Sequence, residues 1–125
     1  MKRGRSTGKP TKAEADRIVA IKELGLCMAC ESLRFVGMAG SDAEGVDFHH
    51  FKSGNIRRGH MFGVGLCAWH HRRYPLDGMT CKEMVVLFGP SLLDGGKAFA
   101  EVFGNDEELL KRQNQLLGDG YEQAD

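Results

Sequence analysis

The sequence predicts a small α+β domain: a zinc-stabilised core with flanking helices, and three observations carry that expectation. Two ligand pairs, "CMAC" at 27–30 and "CAWH" at 67–70, have the spacing of a tetrahedral sulfur/nitrogen site. Short β-type segments occupy the middle of the chain, while stretches with helical start and stop signals occupy both ends. At 125 residues, 42% hydrophobic and 27% charged, the chain has the material for one modest core and not for two.

Each element has its own justification. Thr11 and Glu14 have capping-box spacing, no Gly or Pro interrupts the chain to Leu24, and Gly25 is a natural stop. Ile18 and Ile21, with Ala15 and Leu24, are the expected buried stripe of this first helix. Residues 37–45, "GMAGSDAEG", read as a loop. "VDFHH" and "HMFGVGL" read as short strands, joined through a flexible basic loop, "KSGNIRRG". Thr80 and Glu83 repeat the capping-box spacing ahead of "CKEMVVLF", which Gly89-Pro90 closes. "GGKAFAEVFG" and "DEELLKRQNQLLG" read as two further helices, each ended by glycine. The expected organisation is a basic flexible tail over 1–9, one domain over 10–118, and a polar tail over 119–125.

Net charge is zero, but it is unevenly spread. Residues 1–75 carry 13 Lys/Arg against 7 Asp/Glu, and residues 76–125 carry 4 against 10. That asymmetry suits one cationic, phosphate-facing end and one solvated acidic end. No apolar run approaches the roughly 20 residues of a membrane-spanning helix, so no membrane partner is expected. The basic N-terminus leads into no apolar signal core, and an intracellular protein is expected.

In a reducing compartment, closely spaced cysteines serve metals more often than disulfides. Cys27, Cys30, Cys67 and His70 together close a four-ligand sphere, the mark of a structural zinc rather than a catalytic one. "CMAC" alone would also suit a redox dithiol or two buried small residues; the second pair makes the metal the better reading. Trp69 reads as a core residue closing the knuckle, and Cys81 as a buried small residue. If His70 serves zinc, its neighbour His71 points about 100° away and is left for a second site. Spacing alone also allows the reverse assignment. All five histidines, His49, His50, His60, His70 and His71, fall within 23 residues, interleaved with Arg57, Arg58, Arg72 and Arg73. This mixture favours metal and phosphate chemistry.

The order strand with "HH", loop, second strand, then "LCxxHH" on a helix resembles the ββα-metal finger of HNH endonucleases, with a treble-clef-like zinc knuckle built around it. More narrowly, "LGLCMAC", "FHH", "GH", "GLCAWHHRR" and "GGKAFAEVFGNDEELL", in order over residues 14–117, resemble the phage Ref-type recombination-enhancement nucleases. That family is described as RecA-dependent and HNH-like. The resemblance implies a DNA endonuclease of phage or prophage origin, acting in the bacterial cytoplasm, with a RecA-type filament as partner. It implies His50 as general base, His49 and His71 as ligands of a catalytic divalent cation, Mg²⁺ or similar, and His60 as orienting the base or binding metal. Lys52, Arg57, Arg58, Arg72 and Arg73 would then grip the DNA backbone. The chain departs from the family in inserting residues 74–93, in placing Asp94 where the family has a histidine, and in its short N-terminal arm. Two other classes fit the same residues: a non-catalytic zinc-stabilised DNA-binding module, and a treble-clef adaptor that docks a protein through its acidic helical end.

Overall fold

The computed structural model describes residues 9–53, 56–57, 59 and 62–118. Helix α1, Lys12–Leu24, starts where expected: the Thr11 hydroxyl accepts from the Glu14 N–H, and the Glu14 carboxylate accepts from the Thr11 N–H. Gly25, at φ 69°, ends it in the left-handed conformation. Its buried face corrects the expected one. Ile21 is fully buried, but Leu24 is exposed and Arg17 is buried. Arg17 Nη1 donates to the Gly63 carbonyl at 2.9 Å, and Nη2 and Nε donate to Asn114 Oδ1. Burial lowers its pKa to about 10, so the guanidinium stays charged at neutral pH.

Helix α2, Met28–Phe35, begins inside "CMAC" and was not set apart by the sequence pattern. Strand β1, Asp47–His50, and the later strand of the central pair run antiparallel. Between them lies a correction. The segment read as a flexible loop contains two short antiparallel strands, β2 (Lys52–Ser53) and β3 (Ile56–Arg57). Gly54-Asn55, the two residues between them in sequence, is a composition typical of two-residue hairpin connections. Strand β4, Gly63–Leu66, pairs with β1 in the register Asp47↔Leu66, His49↔Val64 and His50↔Gly63. The far edge of β4 is closed by side chains instead of another strand: the Gly63 carbonyl takes Arg17 and the Gly65 N–H donates to Gln113 Oε1.

Helix α3, Ala68–Arg72, follows at once, with Cys67 at its N-cap. Helix α4, Cys81–Phe88, carries the expected Thr80–Glu83 capping box, and a 3₁₀ turn spans Leu92–Asp94. Helices α5, Gly96–Phe103, and α6, Asp106–Leu117, complete the chain. The core gathers Met28, Leu33, Phe51, Leu66, Trp69, Met84, Phe99 and Phe103 around the cysteines. The result is the expected small α+β fold, six helices and a central two-stranded sheet among the described residues. No helix among them is long and apolar enough to cross a membrane.

Gly63 is a tight point of this frame. A Cβ there would stand 2.5 Å from the His49 carbonyl oxygen and 2.5 Å from the Phe48 ring, so β1 would have to move. Gly63→Ala is expected to cost about 1–3 kcal/mol, an overpacking penalty, and to displace the two histidines of β1. Thermal melting checks it; an unchanged melting temperature would contradict the packing described.

Candidate functional site

Four ligand atoms converge in the core. Cys27, Cys30, Cys67 and His70 are all buried, and their ligand atoms lie within 4.8 Å of one another. His70 Nδ1 stands 3.5 Å from Cys27 Sγ, 3.5 Å from Cys30 Sγ and 3.3 Å from Cys67 Sγ, while Cys30 and Cys67 are 3.8 Å apart. Bonds of about 2.3 Å to sulfur and 2.1 Å to nitrogen give a tetrahedron with edges of about 3.6–3.8 Å. The cluster therefore has the dimensions a zinc ion needs, and it could hold one. Its donor chemistry agrees. Burial pushes the Cys27 thiol well up; hydrogen bonds from Cys27 and Cys30 pull the Cys67 thiol down. Burial alone would lower His70, but Cys30 and Cys67 outweigh it and raise the imidazole to about 9. Protons and a divalent cation compete for such a donor set, and the cation satisfies every sulfur at once.

The groups behind the ligands fix their orientation. His70 Nε2–H donates to the Phe88 carbonyl at 2.8 Å, which leaves Nδ1 as the ligand atom. Trp69 Nε1 donates to the Gly89 carbonyl and Ser91 Oγ to the His70 carbonyl. Phe88, Gly89 and Ser91, in the segment 74–93, thus form the back wall of the knuckle. Trp69 is buried there as expected, whereas Cys81 is only half-buried. On the opposite side, the loop read only as turn-rich carries specific contacts. The Ser41 N–H donates to Cys30 Sγ, and Ser41 Oγ lies 3.2 Å from Cys67 Sγ. The Cys27 N–H donates to Asp42 Oδ2, and Arg34 clamps both oxygens of that carboxylate. Burial raises Asp42, but the Arg34 fork and the Cys27 N–H together hold it below the ordinary carboxylate range. Gly40 has no room for a side chain, since a Cβ would stand 2.7 Å from Cys30 Cβ.

The second of the adjacent histidines points elsewhere. His71 Nδ1 is 3.0 Å from Asp47 Oδ2, and the His71 ring lies 5.2 Å from that of His49, centre to centre. Asp47 also accepts from Arg72 Nε at 2.8 Å. Burial raises the Asp47 carboxyl, but His71 and Arg72 outweigh it, so it stays ionised. His49, His50 and His71 all line one cavity of about 730 Å³, whose other walls include Leu92, Leu93 and Asp106. Two imidazoles this close can share one cation, metal–nitrogen bonds being about 2.1 Å. Among the described residues no third Cys, His, Asp or Glu joins them at ligand spacing.

Not every expected residue is placed in the site. Arg58 and His60 lie outside the described residues, as do the side chains of Lys52 and Arg57. Arg72 and Arg73 are half-exposed and each already holds a carboxylate: Arg72 holds Asp47, and Arg73 holds Asp94 at 2.7 Å. Asp94 caps the 3₁₀ turn through the Ser91 N–H and is taken up by Arg73, away from any ligand set. The residues that sequence reading missed are Ser41, Asp42, Asp47 and Asp106. For Asp47 a signal existed: it stands two residues before His49, on the same face of a strand.

Fold and site together define a small α+β domain with a buried Cys3His cluster that could hold zinc and a histidine-lined cavity beside β1 and α3. The family model described as recombination enhancement, RecA-dependent nuclease matches residues 10–118, and the chain belongs to that family. No curated protein matches the chain. It is therefore a nuclease of a recombination-associated family.

Proposed function

We propose that the protein is an HNH-type, divalent-metal-dependent DNA endonuclease of phage or prophage origin, acting on recombining DNA in the bacterial cytoplasm. The observation that carries this reading is the convergence of His49, His50 and His71 on one cavity beside the Cys27–Cys30–Cys67–His70 cluster. In this reading zinc on the cluster is structural: it ties α2, β4 and α3 together and so sets the distance between the "HH" of β1 and His71. His49 and His71 would hold the catalytic ion. Asp47 takes Nδ1–H of His71, which leaves Nε2 as the ligand atom and makes it a better donor. A divalent cation there, Mg²⁺ or similar, would neutralise charge building on the scissile phosphate and the leaving oxygen. His50 takes the proton of the attacking water on a ring nitrogen, imidazole being the side chain that exchanges protons near neutral pH. Lys52, Arg57 and Arg58 supply phosphate contacts, joined by the N–H groups of Arg73 that Asp94 leaves unused; Arg72, whose Nε holds Asp47, contacts the DNA with its remaining N–H groups. His60 follows these in sequence and orients the base or binds metal. A RecA-type filament is the partner that the family's description implies.

The test is nicking of supercoiled plasmid, alone and on RecA-coated single strands paired with it. Mg²⁺-dependent cutting by the zinc-loaded protein, abolished by excess chelator, is the expected result. DNA binding without cutting under every condition would favour the non-catalytic module, and no DNA affinity at low salt would favour the adaptor.

A further inference from the structure

A second cavity, of about 460 Å³, adjoins the first and has different chemistry. Asp47 and Arg72 line it, and Asp47 is hydrogen-bonded to His71, which lines the first. The Asp47–His71 hydrogen bond thus links a wall of one cavity to a wall of the other. The other walls that matter are Tyr74, Glu44 and Asp77. Tyr74 is 59% exposed, and the Arg72 guanidinium lies 4.6 Å from its ring centre. Glu44 and Asp77 are exposed carboxylates with no hydrogen-bond partner among the described residues.

We propose that this cavity is a base-reading subsite for an unpaired nucleobase flanking the scissile phosphate, with guanine as the preferred occupant; it rests on the nuclease reading above. Three carboxylates against one arginine make the pocket hostile to a phosphate. A neutral base is different. Its flat face can stack on the side of the Tyr74 ring opposite the Arg72 guanidinium, as unpaired bases stack on exposed aromatic rings. Ionised carboxylates only accept, so they select a base edge that donates. Guanine offers adjacent N1–H and N2–H donors to a carboxylate, and its O6 and N7 acceptors suit the N–H groups of Arg72. Adenine and cytosine offer a single amino group. Thymine sets its one N–H between two carbonyl oxygens, which carboxylates repel.

The experiment is anisotropy of fluorescein-labelled single-stranded DNA, identical but for one central G, A, C or T in a thymine background, with zinc-loaded protein and no added magnesium. Wild type is expected to bind the G strand about tenfold tighter than the T strand, the low end of what one bidentate base contact discriminates. Tyr74→Phe should keep that ratio, and Tyr74→Ala or the pair Glu44→Gln and Asp77→Asn should bring it close to one, with melting temperatures unchanged. Equal affinity for all four strands while plasmid cutting persists would overturn the subsite and spare the nuclease reading. No binding to any strand and no cutting would overturn both. Competition by a lysine- and arginine-rich peptide that Tyr74→Ala abolishes would reassign the pocket to a basic protein segment.

Discussion

His50→Ala is expected to cut plasmid on the order of 10²–10⁴-fold more slowly than wild type, with the fold, the zinc and DNA binding retained. The size follows from the role: losing a positioned proton acceptor leaves water to be activated by solvent alone. The selectivity follows from position. His50 ends β1 opposite Gly63, lines the open cavity, and stacks edge-on to Phe48 at 4.7 Å, outside the metal cluster. Cleavage rates at saturating DNA, set beside binding and thermal melting, check this. Wild-type cutting by His50→Ala would remove the general base from the account; parallel loss of cutting and folding would make the residue structural.

Cys27→Ala is expected to do the reverse and destroy the fold first. A structural zinc contributes about 10–16 kcal/mol of apparent binding free energy in small domains, against a net stability of about 5–15 kcal/mol for a whole protein. Removing one of four ligands forfeits much of that. Cys27 is also the N-cap of α2, its sulfur accepting the Cys30 N–H, so a helix start is lost as well. A chelator strong enough to strip zinc from the wild type should reproduce the effect, and re-addition of zinc should reverse it only in the wild type. Zinc content and circular dichroism melts decide it; a folded, metal-free variant with an unchanged melting temperature would contradict the cluster's structural role.

What could be read from the chain was what sequence neighbours determine. The capping boxes at Thr11 and Thr80, the glycine stops, and the ligand pairs at 27/30 and 67/70 are local patterns, and the structure contains each of them. The choice between His70 and His71 was not local. His70 finds the Phe88 carbonyl 18 residues on, while His71 finds Asp47 24 residues back. Arg17 is the sharpest case. On a helix with charged neighbours it reads as a surface cation, and only distant partners, Asn114 97 residues away and the Gly63 carbonyl 46 residues away, make its burial tolerable. Ser41 and Asp42 sit in a stretch whose composition announces a turn and nothing more; their contacts to the cysteines depend on Gly40 lying flat against Cys30. Arg72 and Arg73 carried too simple an expectation, because sequence counts their charge but not the carboxylates that claim it.

The central claim is that two adjacent histidines serve two different sites. Zinc content per chain in His70→Ala and His71→Ala, measured with melting temperature and plasmid cutting in the same preparations, tests it most directly. His70→Ala should lose zinc, melt far lower and lose cutting as a consequence. His71→Ala should keep zinc and melting temperature and lose most Mg²⁺-dependent cutting. Zinc lost from His71→Ala but kept by His70→Ala, or normal cutting by both, would contradict it.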